Sequence, residues 1–113
     1  MAKNKKLPKF VTIGPFKVEL ICAPHELIYD LGEAQGLFVQ KPPYKIYLDK
    51  EMIEEGGADA FNLVVHECMH VAFYQYNMKD KDEEHIVNSF GNFLAELFCK
   101  SELKDWIREN MRD

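Results

Sequence analysis

The sequence has few cysteines, no long apolar run and no excess of basic residues. Its three cysteines do not form a Cys-x-x-Cys pair, and an odd number of thiols excludes a complete disulfide framework. No stretch approaches the roughly 18 consecutive apolar residues of a membrane helix, and the N-terminus does not have the apolar segment of a signal peptide. The 14 Lys and Arg residues are outnumbered by 19 Asp and Glu residues, which argues against binding to a nucleic-acid backbone. We therefore expect a cytoplasmic protein with reduced thiols and with neither nucleic acid nor a membrane as its partner.

The length of the chain limits its organisation. Its 113 residues, of which 47% are apolar, suffice for one modest hydrophobic core and are too few for two folded domains. Residues 1–8 are mostly polar and basic, so we expect a flexible leader there. Residues 9–113 are expected to form a single domain.

The first half of this domain has the alternating apolar pattern of β-strands. A turn at residues 14–15 joins two short strands, and a Pro-Pro connector separates two further β-rich runs at residues 36–40 and 44–49. Between these two pairs, residues 24–32 have the apolar spacing of a short helix. The sequence therefore predicts a sheet of three or four strands.

Everything after the fourth strand is predicted to be helical. A short helical turn precedes a long, mostly apolar helix that ends near Tyr76, and two further helices begin near Glu83 and Ser101. We expect the long helix to be central and covered on most sides. The next helix is expected to present one broad apolar face, formed by Ile86, Val87, Phe90, Phe93, Leu94, Leu97 and Phe98. The predicted class is α+β, with a small, mostly antiparallel sheet packed on the long helix and one or two C-terminal helices after it.

The long helix contains His66-Glu67-Cys68-Met69-His70, which matches the pattern H-E-x-x-H. Two imidazoles four residues apart lie on the same face of a helix, so both can ligate one metal ion. Zn²⁺ in catalytic sites takes three protein ligands and a water whose pKa falls toward about 7, and Glu67 would accept the proton of that water. Inside an apolar helix these three polar side chains would cost free energy unless paired or liganded, which favours a metal site over hydrogen-bonded core histidines.

A third protein ligand would complete the site, and the next helix offers Glu83, Glu84 and His85. His85 aligns with a polar row that includes Ser89, so we expect it to face solvent. Glu84 aligns with small residues that would let the two helices approach closely, and with Asn88, which could orient a ligand. Glu83 stays the alternative, and a favourable charge at a helix N-terminus would also explain either glutamate. We predict Glu84 as the third ligand.

Two other residues have structural interpretations. The side chain of Cys68 is expected to point away from the two histidines, which makes it a small core residue rather than a fourth ligand. Trp106 is expected to be the apolar anchor that docks the last helix.

The chain also resembles a known group of proteins. The run VVHECMHV at residues 64–71, preceded by a strand at residues 46–49 and followed by EEHIVNSFG at residues 83–91, is similar to small HExxH metallopeptidase-like proteins of phages and prophages. These are related in pattern to the ImmA/IrrE and SprT-like metallopeptidases, and the resemblance covers about residues 16–97. It implies a minimal zincin fold whose third zinc ligand, a glutamate of the next helix, corresponds to Glu84. A phage origin would place the protein in the host cytoplasm.

The predicted activity is zinc-dependent hydrolysis of a peptide bond in a peptide or protein substrate, with Glu67 as general base. Tyr74, one turn beyond His70, is the predicted oxyanion donor, although packing at the end of the helix explains it equally well. Zincins bind an extended peptide along a sheet edge, which residues 36–40 or 44–48 could present. The alternative is a non-catalytic, metal-stabilised binding or assembly module, because so short a chain leaves little material for a substrate cleft.

Overall fold

The architecture is that of a computed structural model, which describes residues 6–30, 35–77 and 81–111. Residues 1–5, which make up most of the predicted leader, and residues 31–34, which include the end of the first predicted helix, lie outside the described residues. The elements, in chain order, are β1 (Phe10–Ile13), β2 (Phe16–Ala23), α1 (His25–Asp30), β3 (Gly36–Val39), β4 (Lys45–Asp49), α2 (Lys50–Glu55), α3 (Gly57–Tyr76), α4 (Glu83–Cys99) and α5 (Lys104–Met111).

Local signals explain where several of these elements begin and end. Gly14 has a φ of 58° in the turn between β1 and β2, a left-handed conformation that glycine adopts without strain. Asn77 ends α3 with a φ of 50°, which asparagine tolerates better than most residues. The Asp82 carboxylate accepts a hydrogen bond from the His85 backbone N–H at 2.9 Å and so caps the N-terminus of α4.

The four strands form one mixed sheet in the order β1-β2-β4-β3. β1 pairs antiparallel with β2, and β3 with β4, while β2 and β4 run parallel. These pairings confirm the predicted α+β class and its mostly antiparallel, four-stranded sheet. β3 is an edge strand of this sheet, whereas β4 lies inside it, between β2 and β3. Of the two runs that could present a sheet edge to a peptide, only residues 36–40 therefore lie at an edge.

One hydrophobic core joins the sheet to α3, α4 and α5. Trp106 is only 3% exposed within this core, which confirms it as the anchor of the last helix. In the described part of the chain, no helix has both the length and the apolarity needed to cross a membrane. Fully buried side chains of the core include Ile13, Ile46, Leu48, Val64, Val71, Phe93, Leu97, Leu103 and Ile107.

The long helix α3 is covered on one side rather than on most sides, so that prediction is wrong. His66 and His70 are exposed, and Phe73 keeps 47% of its surface in contact with solvent. The sheet and the helices α4 and α5 pack against one side of α3, and among the described residues the side chains on its other side are exposed. The buried residues of α3 are Ala60, Leu63, Val64, Glu67, Cys68, Val71 and Ala72.

The helix α4 packs on the core with most of its predicted face but is rotated relative to the prediction: Phe93 and Leu97 are buried, and Ile86, Phe90 and Phe98 pack against the core. Val87 and Leu94, which were expected to be buried, are 58% and 43% exposed. Ser89, which was expected to face solvent, is buried, and His85 is half-buried one turn before it. The predicted solvent-facing position of His85 is therefore wrong.

Backbone partners at both ends of α4 explain this orientation. His85 Nε2 lies 3.1 Å from the carbonyl oxygen of Tyr76 at the end of α3, and since a carbonyl can only accept, the imidazole donates. Toward the other end of α4, a Glu96 carboxylate oxygen accepts a hydrogen bond from the Gly14 N–H at 2.9 Å. Polar side chains can face inward here because they meet backbone groups that need partners.

Candidate metal centre

The two histidines of the motif lie one turn apart on the exposed face of α3. The ring centroids of His66 and His70 are 4.9 Å apart, and the ring planes are nearly perpendicular, at 84°. This proximity follows from the helix itself, because residues four positions apart share a face. The predicted histidine pair is therefore present and open to solvent.

Glu67 completes a compact group of three potential metal ligands. One ligand atom from each of His66, Glu67 and His70 can be chosen so that all three lie within 4.8 Å of one another. Two nitrogens bound to one tetrahedral zinc at about 2.0 Å would be about 3.3 Å apart. Small side-chain rotations would bring the imidazoles to that separation, so the donor set fits a zinc ion.

The carboxylate of Glu67 is held against the backbone of the edge strand β3. Glu67 is 5% exposed, whereas the histidines on either side of it are exposed. A Cβ atom added to Gly36 would lie 2.7 Å from Glu67 Oε2 and 2.9 Å from its Cδ and Cγ atoms. In its present conformation the Glu67 side chain leaves no room for a Cβ atom at position 36, a constraint that the strand pattern of residues 36–40 does not reveal.

The burial of Glu67 and the exposure of both histidines bear on the prediction of a metal site. The free-energy cost of burying an ionisable group applies to Glu67, but it does not apply to His66 or His70, because both are exposed. The metal hypothesis now depends on the spacing of the histidines and on the three-residue group.

The group opens into a cleft of about 260 Å³ between α3 and the edge strand. The cleft brings together the H-E-x-x-H motif and a strand that lies far from it in the sequence. Its lining residues are Gly36, Leu37, Phe38, Gln40, His66, Glu67 and His70.

The edge strand directs backbone groups away from its neighbour β4. The Asp49 N–H donates to the Gln35 carbonyl at 2.9 Å, which makes these two residues a hydrogen-bonded pair. Pairs alternate along an antiparallel ladder, so Leu37 also bonds to β4, whereas the N–H and C=O groups of Gly36 and Phe38 point outward. These outward groups belong to residues that line the cleft.

The structure does not bring Glu84 or Glu83 into the three-residue group. Both glutamates are exposed at the start of α4, and neither belongs to the group found among the described residues. Gly91, two turns beyond Glu84, is also exposed, and a Cβ atom added to it would have no heavy atom within 4 Å. The small residues of this row therefore do not mediate a close contact between helices, and the role of Glu84 as third ligand stays a prediction from the sequence.

Tyr74 belongs to an aromatic cluster beside the cleft. Its ring centroid lies 5.5 Å from that of Phe16, 6.0 Å from Phe38 and 6.1 Å from Tyr44. A hydrogen bond between the side chains of Tyr44 and Tyr74 raises the pKa of Tyr44. Tyr74 is not among the described residues that line the cleft, so its role as oxyanion donor stays a prediction, whereas aromatic packing is what the structure contains.

Cys68 is a core residue, as predicted. Its side chain is completely buried, and this burial, together with the charge of Glu67, raises the pKa of the thiol. Since metals bind the thiolate form, a protonated and buried thiol is a poor ligand. The histidine pair and Cys68 thus lie on different faces of α3.

Comparison with known proteins gives no match. No family model, curated protein or solved structure is similar enough to this chain to be identified as a relative. The proposals below therefore depend on the geometry of the site and on the sequence motif.

Proposed function

We propose that this protein is a zinc-dependent peptidase that hydrolyses a peptide bond at the α3 cleft. One observation carries the proposal: a buried glutamate carboxylate lies beside two exposed imidazoles, and all three line a cleft bounded by the edge strand β3. A metal-ligating pair, an adjacent base and a place for an extended substrate are the parts that this reaction needs.

His66 and His70 would hold the zinc ion, and Glu84 is the proposed third ligand. When bound, zinc would supply a Lewis acid that acidifies a water molecule and polarises the substrate carbonyl. Glu67 would accept the proton of the attacking water and transfer it to the leaving amine. Because the Glu67 carboxylate is buried next to the backbone of Gly36, this base would be oriented before substrate binds, which limits the reorganisation that the reaction requires.

The proposed substrate is a peptide in extended conformation. The outward N–H and C=O groups of Gly36 and Phe38 are suited to pair with such a peptide, which would extend the sheet by one strand. A peptide bound in this way would pass over the face of α3 that presents His66 and His70. The proposed cleft would therefore recognise the backbone of its substrate.

The second candidate is a metal-stabilised binding or assembly module. The surface favours it in one respect, since Phe73 and Val87 are large apolar residues left exposed on α3 and α4. In this function zinc would tie two helices together, which requires a ligand outside α3. Such a module has no use for the buried Glu67 carboxylate or for the edge strand that bounds the cleft, whereas the proposed peptidase uses both and is the better account of the site.

The test combines metal content with cleavage of a fluorogenic peptide library by protein purified without a polyhistidine tag. We expect about one zinc per chain in the wild type and Glu67→Gln, and none in His70→Ala. Glu67→Gln should reduce cleavage by about 10² or more, since general base catalysis contributes that much. Glu55→Gln is the matched control, because it removes an exposed acid of α2 that belongs neither to the three-residue group nor to the two candidate third ligands.

Two results would contradict the peptidase. One is a wild-type protein that takes up no zinc when zinc is supplied. The other is a Glu67→Gln variant that cleaves as fast as the wild type. If zinc binds and raises the thermal stability but no peptide in the library is cut, the assembly module becomes the better explanation.

A further inference from the structure

A second depression lies beside the histidine pair, between α3 and α4. It has a volume of about 190 Å³ and is lined by His66, Met69, His70, Phe73 and Phe90. We name it the Phe90 groove. The same two histidines line both the α3 cleft and the Phe90 groove, so the two spaces are neighbours.

The Phe90 groove exposes apolar side chains to water. Met69 and Phe73 are 37% and 47% exposed, and they stand on the same face of α3 as the histidines. Large apolar groups that cluster at the surface commonly mark a place where another apolar group binds. Apart from the imidazoles proposed to hold zinc, the lining side chains are apolar, so a charged occupant would lose its hydration without gaining a partner.

We infer that the Phe90 groove selects an aromatic or large aliphatic side chain of the substrate, next to the bond that is cut. This inference rests on the proposed peptidase function. The size of the groove supports it, since an apolar cavity of about 150 Å³ in another protein is large enough to bind benzene. A phenylalanine side chain would lie against Met69, Phe73 and Phe90 while its backbone lies in the adjacent cleft.

The first test measures binding in the absence of cleavage. The probes are N-acetyl-phenylalanine amide and N-acetyl-alanine amide, and the readout is the ¹³C-methyl resonance of Met69, assigned with Met69→Leu. We expect the phenylalanine derivative to shift this resonance saturably and to bind about 10-fold or more tightly than the alanine derivative, because it buries more apolar area. This measurement is made with and without zinc.

Three variants locate the binding. Phe73→Ala and Phe90→Ala should each weaken the phenylalanine derivative several-fold. Val87→Ala is the matched control, because it removes an exposed apolar side chain one turn before Phe90 that does not line the groove, and it should leave binding unchanged. Equal shifts with both probes, or no shift with either, would overturn the inference.

The second test measures selectivity of cleavage with peptides that differ at a single position. Cleavage next to Phe, Leu or Met should exceed cleavage next to Ala or Asp by about 10-fold or more, and Phe90→Ala should reduce that ratio. Cleavage without preference would overturn the inference and leave the peptidase intact. A protein that binds the phenylalanine derivative at Met69 but cuts nothing would instead contradict the peptidase and retain the groove as a binding site.

Discussion

The helices α3 and α4 differ in how well their faces follow from the sequence. In α3 the histidine pair and the core residue Cys68 lie where the spacing of the motif predicts. In α4 the predicted core residue Leu94 is 43% exposed and the predicted surface residue Ser89 is buried. Relations within one helix follow from 3.6 residues per turn, whereas the face that a helix presents to its neighbours depends on contacts made elsewhere.

The orientation of α4 does not follow from its sequence, because polar as well as apolar side chains of this helix are directed into the fold. The large apolar side chains of α4 cover a broad face that is wider than the part in contact with the core, so burial alone does not select one orientation. The hydrogen bonds from His85 to the Tyr76 carbonyl and from Gly14 to Glu96 decide between them. Four pairs of variants test where these side chains lie and what they contribute.

The largest effect is expected from two adjacent residues of α4. Phe93 is 1% exposed, so Phe93→Ala should lower the free energy of unfolding by about 3–5 kcal/mol. Leu94→Ala removes a side chain that is 43% exposed and should cost less than about 1 kcal/mol. Urea denaturation monitored by circular dichroism measures both values, and equal costs would contradict the orientation of α4.

The next comparison concerns two glycines, one against α3 and one on α4. Gly36→Ala would displace the Glu67 carboxylate, so we expect cleavage to fall by about 10² while zinc content is unchanged. Gly91→Ala, with no heavy atom near its added Cβ, should keep activity and stabilise α4 by about 0.5–1 kcal/mol. Steady-state cleavage rates and zinc content are measured for both variants. Full activity in Gly36→Ala would show that the position of Glu67 is not critical.

A smaller effect is expected at the start of α4, where the third ligand is predicted. Glu84→Gln should weaken zinc binding about 10-fold or more, and Glu83→Gln should leave it nearly unchanged. Competition with a chelating dye measures both affinities. The opposite ranking would assign the ligand to Glu83, and no change in either variant would show that α4 supplies no ligand from this pair.

The smallest effect concerns the hydrogen bonds that join the sheet to the C-terminal segment. The Thr12 N–H and hydroxyl each donate to the Glu102 carboxylate at 2.8 Å. Partial burial opposes its charge, but these bonds and the nearby Lys17 outweigh burial and lower the pKa of Glu102 below its ordinary value of 4.5. The carboxylate therefore stabilises the fold above that value, and this stabilisation is lost as the pH falls through the lowered pKa.

The variant Glu102→Gln tests this acid dependence. At pH 7 it should be less stable than the wild type by less than about 1 kcal/mol, because solvent screens the interaction. The difference should shrink as the pH is lowered below 4.5. Urea midpoints across this range provide the measurement, with the exposed Glu55→Gln as control. A difference that stays constant with pH would show that the charge of Glu102 does not contribute.

The sequence by itself determined the strands, the helices and the pairing of His66 with His70 on one face of α3. Gly14 predicts the first turn because glycine adopts a positive φ, Asp82 predicts the start of α4 because its carboxylate can cap a helix, and His66 and His70 are neighbours in any helix. All of these are interactions over a few residues, which the local chemistry of the chain dictates.

Only the tertiary structure decided how these parts meet. The contact between Gly36 and Glu67, the outward edge of β3 and the position of Phe90 beside the histidines each join residues far apart in the sequence. No periodicity encodes such contacts, because they depend on how the sheet and two helices share one core of limited size. The motif therefore predicts a metal site, and the folded chain places a cleft, the buried Glu67 carboxylate and an apolar groove at that motif.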